Sequence, residues 1–496
     1  MKLRFWQLAL VLIVMAGCLT TQAEAREISR ECTLDCTVWS ASDAIRDNDP
    51  YAPFRLPAGT SITLTHPEGI SSLYLIFDWA PGEYSVTDNT SGSTCTWGSQ
   101  GFYHEFLDLE ASFQSVPTSV TLDFGDKEVW LNEAHVFSPG PVPDWVQRWE
   151  APADARADLL LFSAHCDDEQ LFFAGSLPYY AGELGYRVQV VYMTDHKNMT
   201  SWRVHEALDG LWNVGVRRYP VFAPFPDAYS RSREYSYKRY QYDGVSREEL
   251  TGFVVEQLRH FRPQVVLTHD VNGEYGHGQH MTTADTVMLA SMSSWDLSAF
   301  PESAERYGVW DTPKVYLHLY PLDTIWMDWD QPLERFGGMT AYQVTRDLGF
   351  PSHVSQVKDF AWYMRGCNTA AEIRLYNPCA YGLYYSSVGK DVAKNDFFEH
   401  LIPYDRQDQL AQEAAQLSAL RQEEAQREAE RLIEEQKAEE AARLQAELLA
   451  AQEAEQAAAQ TARDKADRIQ RVFALAIAIG TVLTALGAMW YPRKII

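Results

Sequence analysis

The residues of this 496-residue chain that could do chemistry gather in two short stretches. In the first, the apolar run Leu159-Leu160-Leu161-Phe162 breaks off into Ser163-Ala164-His165-Cys166-Asp167-Asp168-Glu169. A hydrophobic core has no use for a His, two Asp and a Glu packed so closely, because buried unpaired charge is costly. At the carboxyl end of a buried strand the same residues would stand at the mouth of a ligand site. His165 and Asp168 are spaced so that both can reach one metal ion. In the second stretch, Val265-Val266-Leu267-Thr268 leads into Asn272-Gly273-Glu274-Tyr275-Gly276-His277-Gly278-Gln279-His280. Glycines let that loop turn tightly, and it carries two histidines at the same spacing. Two His and one Asp, with a position left for water, match the ligand set of a catalytic zinc site rather than a closed structural one. His and carboxylate ligands also accept other divalent ions, so residue types alone do not choose the metal.

His165-Cys166-Asp167-Asp168-Glu169 resembles the AHPDDE motif of the LmbE-like, or GlcNAc-phosphatidylinositol de-N-acetylase, family. The segment from Gly273 to His280 resembles that family's second motif, whose core is HxxH. Cys166 departs from the pattern, standing where the family usually has Pro; proline there would stiffen the turn without binding metal. The resemblance implies Zn2+ held by His165, Asp168 and His280, with Asp167 as general base. It places His277 to steady an oxyanion or protonate a leaving amine. To these we add Tyr275 as a donor to the developing oxyanion. Arg203 and Glu206 resemble the family's RxxE helix, where Arg203 would hold a substrate hydroxyl or phosphate; a solvated helix face is the other reading. Asp227 stands where the family has a site Asp, and His353 belongs to a late motif that lines or supports the pocket. Glu169 reads as structural, a carboxylate at a helix start. Asp195 and His196 lie at a further strand end.

The activity so implied is zinc-dependent hydrolysis of the N-acetyl group of an N-acetylglucosamine-type glycoconjugate. An amidase acting on a non-sugar amide would use the same chemistry, and a non-catalytic surface glycan-binding protein is the reading from a different class. The HExxH signature of many zinc peptidases is absent.

Residues 141–404 must position these groups. Apolar runs at 187–194 and 264–268 alternate with helix patterns at 170–180, 202–213 and 246–260, the last opened by a Ser246/Glu249 capping box. That alternation predicts an α/β, Rossmann-like parallel sheet with helices on both faces. Residues 27–140 instead read as strand after strand, an all-β sandwich serving as a carbohydrate-binding or spacer module. Four prolines between Pro139 and Ala155 mark a linker.

Both ends suggest export and anchoring. Lys2 and Arg4, an apolar stretch to Ala16 and the small residues up to Ala25 form a signal peptide over 1–25, with lipidation at Cys18 as an alternative. Residues 405–471 contain neither Pro nor Gly and read as a helical or coiled-coil stalk able to self-associate. Residues 472–491 are long and apolar enough for one transmembrane helix, leaving 492–496 as a cytoplasmic tail. The expected address is therefore the cell membrane, single-pass, with the catalytic domain extracytoplasmic. In an oxidising compartment Cys367 and Cys379 are a natural pair, and Cys95 could join Cys32 or Cys36 unless those two bond each other. A formal net charge of −26 argues against a nucleic-acid partner.

Overall fold

The structure, a computed structural model, describes residues 23–38, 41–152 and 156–488. Cys18, the tail 492–496 and all but the last three residues of the expected signal peptide lie outside them. The chain divides into two compact units, one ending at Gln407 and the other starting at Asp408.

The first unit opens with two antiparallel sheets. Five strands pair in the order Thr33–Cys36, Ser61–Thr65, Ser119–Asp123, Tyr84–Asp88, Thr94–Trp97. Four pair as Phe54–Leu56, Val129–Phe137, Ser72–Phe77, His104–Asp108. Alternation decides which side chains turn inward. Ile62, Leu64, Val86, Val120 and Leu122 of one sheet share a core with Leu73, Leu75, Phe77, Leu131 and Val136 of the other.

The second part is a seven-stranded sheet: β1 (Leu159–Ser163), β2 (Val188–Tyr192), β3 (Val221–Phe222), β4 (Val265–Thr268), β5 (Lys314–His318), β6 (Thr324–Trp326) and β7 (Ala380–Ser386), in the order β3-β2-β1-β4-β5-β7-β6. The first five are parallel, whereas β7 pairs antiparallel with both of its neighbours, β5 and β6. The expected parallel sheet thus carries an antiparallel strand, β7, inserted between β5 and β6. Leu159 and Leu161 of β1 enter the core on one face, and Leu160 and Phe162 that on the other. A strand buried on both sides must read as a continuous apolar run, which is why the polar break after Phe162 stands out. The connections from β1 pass to β2 on one side and later to β4 on the other, and the crevice between such strand ends is where ligands bind in this architecture. The principal helices are α1 (Ser201–Asn213), α2 (Arg247–Phe261) and α3 (Gly278–Ser291). The expected capping box of α2 is present, Ser246 accepting from the Glu249 N–H and Glu249 accepting from the Ser246 N–H.

Two expectations of continuity fail locally. The helix expected over 170–180 is broken, giving a helical turn at Asp168–Leu171 and a π-helical turn at Pro178–Glu183. The break lies at Gly175, with φ +89, where a Cβ would come within 2.4 Å of Trp329 Cγ. The expected linker is not a free tether either. Val146 and Trp149 are buried, and the Trp149 ring meets Trp212 edge-on at 5.4 Å.

The outer face of the four-stranded sheet packs on α1. His104 Nε2 lies 2.8 Å from His205 Nδ1, the other nitrogen of His104 meets the Tyr74 hydroxyl, and Ser201 donates to Asp78. Burial lowers His104 well below the usual histidine range, with the His205 charge adding to it, and lowers His205 to about 4. The unfolded chain protonates both rings near pH 6.5, roughly the free-histidine value. Their contribution to stability is therefore complete at pH 7 and is lost as pH falls below about 6.5, levelling off near the folded value, at a slope of about 1.4 kcal/mol per pH unit for each ring. Thermal melts between pH 7 and pH 5 should show a smaller fall for His205→Gln than for the wild type. Equal falls would contradict this, since carboxylates such as the neighbouring Asp209 titrate in both proteins.

Six cysteines lie among the described residues, and each carries a free thiol, including Cys367 and Cys379. The second unit belongs to one helix, α4 (Tyr404–Ala488), of 85 residues. The expected stalk and residues 472–488 of the expected span lie in it without a break, and 489–491 fall outside the described residues. Near its C-terminus an 18-residue window has a mean hydropathy of 1.9, enough by length and composition to cross a membrane.

Candidate metal centre and active site

The two polar stretches meet at the carboxyl ends of β1 and β4. After β1 the chain turns so sharply that Asp168 Oδ2 accepts the backbone N–H of His165 at 2.9 Å. The same oxygen lies 3.0 Å from His165 Nδ1 and 3.3 Å from His280 Nε2, and those two nitrogens are 3.3 Å apart. After β4, Gly273 and Gly276 take positive φ and deliver the chain to α3, whose N-cap is His277, accepting from the Gln279 N–H. Gly278 is required by space, because a Cβ there would lie 2.0 Å from Ser230 Oγ. His280 then falls in the first turn of α3, buried and facing His165.

Three donor atoms 3.0–3.3 Å apart suit a small metal ion. A tetrahedral zinc with bonds of roughly 2.0–2.1 Å separates its ligand atoms by about 3.3 Å. Two overlapping trios also have ligand atoms within 4.8 Å of one another: His165, His277 and His280, and Asp168, His269 and His280. The charge balance points the same way. Burial opposes charge on His165, yet Asp168 and Asp227 outweigh it and raise the ring to about 10; Asp168 and Glu274 likewise raise His280 to about 9. Carboxylates this close call for positive charge at this spot.

Asp167 sits beside the trio with φ 138° and ψ −30°, backbone that a non-glycine residue rarely adopts. Its N–H donates to Glu169 at 2.9 Å, and one carboxyl oxygen accepts from Arg203 at 2.9 Å. Burial raises its carboxyl to about 6, with Arg203 pulling the other way. Arg203 also donates to the Cys166 carbonyl, so its contacts are to the motif itself. Glu169 is buried and faces His353 Nε2 at 2.8 Å; His353 is fully enclosed rather than open to solvent, so it can support the site but not line a pocket. Glu206 accepts from Ser355, joining α1 to the helix after His353. Asp227, its side chain 42% exposed, lies 3.8 Å from His165 Nε2. Tyr275, at φ 46°, is 36% exposed and its ring is 5.5 Å from that of His277. Burial lowers His277 far below the usual histidine range, helped by His165 and His280. Asp195 caps a short helix, and His196 Nε2 accepts the Cys166 N–H at 3.4 Å.

Four buried residues join the site that sequence reasoning left aside. Gln279 Oε1 accepts from His165 Nε2 at 3.0 Å and from the Ala228 N–H, while its amide donates to Thr194 and Tyr240. Glu274 contacts His280, His269 and His318. His269 directly follows β4 and His318 ends β5, and a polar residue at a buried strand's end is the signal that could have found them. Glu274 and Gln279 lie inside the second motif, but neither spacing nor type reveals which histidine each one faces.

Residues 160–291 match the family described as PIG-L, GlcNAc-PI de-N-acetylase. A 1D-myo-inositol 2-acetamido-2-deoxy-alpha-D-glucopyranoside deacetylase 1 of Catenulispora acidiphila is 28% identical over 236 residues, 42% of this chain and 69% of that protein. The deacetylase of the same description from Rhodococcus erythropolis is 28% identical over 178 residues, 32% of this chain and 59% of its own length. Among solved structures, N,N'-diacetylchitobiose deacetylase from Pyrococcus horikoshii aligns with 46% of this chain and 84% of its own, at 16% identity and a TM-score of 0.30.

Proposed function

Residues 160–291 carry a PIG-L, LmbE-like de-N-acetylase domain, and on that premise we propose that the protein is a zinc-dependent N-deacetylase of an N-acetylglucosamine-type glycoconjugate. The observation that carries the reading is the convergence of His165 Nδ1, Asp168 Oδ2 and His280 Nε2 within 3.3 Å of one another. Relatives whose descriptions name 2-acetamido sugars as substrates support the substrate class.

In this reading His165, Asp168 and His280 hold the zinc, which when bound lowers the pKa of water and polarises an amide carbonyl. Asp167 takes the proton from the attacking water, and Arg203 keeps its carboxylate aimed. His277, neutral in its buried surroundings and with Nδ1 accepting the Gln279 N–H, can donate its Nε2 N–H to the oxyanion or relay to the departing amine the proton that Asp167 took from water. The Tyr275 hydroxyl donates to the oxygen that gains negative charge. Asp227, at the half-open side, meets the sugar hydroxyls. The products are acetate and a free amino sugar. The test is acetate release from a panel of N-acetylated amino-sugar conjugates beside non-sugar amides. Release from the sugars supports the reading, and release from the non-sugar amides alone replaces it with the amidase.

The apolar end of α4 would anchor the protein as a single-pass membrane protein with its catalytic part outside the cytoplasm, and the preceding helix would act as a stalk. The β-sheet region would bind glycan or space the enzyme. Deleting residues 472–496 should move the protein from the membrane pellet to the supernatant on fractionation; a truncated protein that still pellets would remove the anchor.

A further inference from the structure

His280 reaches the metal position from a ring held on its far side. Its Nδ1 lies 2.7 Å from Oε2 of Glu274, and the same oxygen is 2.8 Å from Nδ1 of His269. The other oxygen is 2.6 Å from Nδ1 of His318 and accepts the Asp270 N–H at 3.2 Å. Glu274, His269, His280 and His318 are all fully buried.

The geometry has a consequence for tautomers. A neutral imidazole has a single N–H. Once the N–H on Nδ1 is given to Glu274, the lone pair of His280 is on Nε2, the atom 3.3 Å from both Asp168 Oδ2 and His165 Nδ1. We propose that Glu274 is the positioning residue of the metal centre, fixing the ring plane and tautomer of His280 and raising the donor strength of its Nε2. The inference rests on the reading of this site as a zinc centre.

Glu274 is itself braced from three directions. His269 accepts the Ala164 N–H on its Nε2 at 2.9 Å, so it is tied to the turn that carries His165. His318 faces the Asn377 carbonyl with its Nε2 at 3.0 Å. One carboxylate therefore links the ends of β4 and β5 to the turn after β1, and the distance between His165 and His280 depends on it.

The test uses the full chain in detergent micelles, stripped with a chelator and titrated with zinc against a competing chromophoric chelator. Glu274→Gln keeps the size of the side chain but loses the negative charge that His280 Nδ1 faces at 2.7 Å. The expected result is a zinc Kd raised roughly ten- to a hundredfold, with the metal-free melting temperature within a few degrees of wild type. A purely structural role would lower that melting temperature and leave the Kd unchanged, which overturns the proposal. Nitrogen-15 histidine spectra of the zinc-loaded wild type need no variant. Zinc on Nε2 of His280 with a protonated Nδ1 supports the proposal, and zinc on Nδ1 overturns it. A wild type that takes up no zinc refutes the zinc reading and this inference with it. Wild-type binding matched by an equal affinity in Glu274→Gln refutes this inference alone.

Discussion

His280→Ala is expected to lose zinc and acetate release together, with turnover falling by about a thousandfold or more, since a bound metal supplies several kcal/mol to the transition state. The substitution removes one of three converging donors and leaves only His165 and Asp168, and it deletes the contact through which Glu274 reaches the centre. The fold should survive. Glu274 still has His269 Nδ1 at 2.8 Å, His318 Nδ1 at 2.6 Å and the Asp270 N–H at 3.2 Å, so no buried carboxylate is left without partners. The cost to metal-free stability is that of a buried large-to-small change, about 1–3 kcal/mol. Metal content per chain, measured beside acetate release and a thermal melt, checks all three. A His280→Ala protein that keeps one zinc per chain would overturn the assignment of His280 as a ligand.

Asp167→Asn should separate metal binding from chemistry. Asp167 is not one of the three converging donors, so zinc content should stay at the wild-type level, whereas turnover should drop by about 10²–10⁴, the usual worth of a general base. The amide keeps the shape of the side chain and its N–H can still reach Glu169 through the backbone, but it cannot take a proton, and it leaves the buried Arg203 guanidinium without its charged partner. The backbone at Asp167, with φ 138°, belongs to a class that costs roughly 1–3 kcal/mol and persists where surrounding contacts hold it. Glu169 and Arg203 are those contacts, and the aim of the carboxylate depends on them. A zinc-replete Asp167→Asn enzyme within tenfold of wild-type turnover would remove Asp167 from the base role.

The parts of the site that announce themselves in the sequence do so because they violate the rule of their surroundings. β1 and β4 are buried on both faces and must be apolar, so His165, Asp167 and Asp168 after one, and His277 and His280 after the other, stand out by position and spacing. The same contrast marks β2 and the capping box of α2. Local chemistry decides these features, and local chemistry is legible.

The helix expected over 170–180 shows the limit of that legibility. Its residues favour a helix, yet the chain turns out of it at Gly175, with φ +89, where Trp329, more than 150 positions away, packs so close that no side chain fits. Pro139–Ala155 has the composition of a linker, yet Val146 and Trp149 pack down. His353 could have lined the pocket or supported it from behind, and its burial against Glu169 leaves only the second. Nor did the two apparent halves of the first unit announce that His104 of a β-sheet would face His205 of α1.

By itself, then, the sequence determined the alternation of strands and helices, the two polar breaks, the residue types able to hold a divalent metal, the long helix without Pro or Gly, and an apolar span long enough to cross a membrane. Only the tertiary structure decided that His165, Asp168 and His280 meet within 3.3 Å, that Arg203 serves Asp167, and that Glu274 gathers three histidines. The physical reason is range. Propensity, capping and burial pattern act over a few residues, whereas a metal centre joins strand ends more than a hundred residues apart, and which side chain accepts from which is settled only once the sheet order has brought them together.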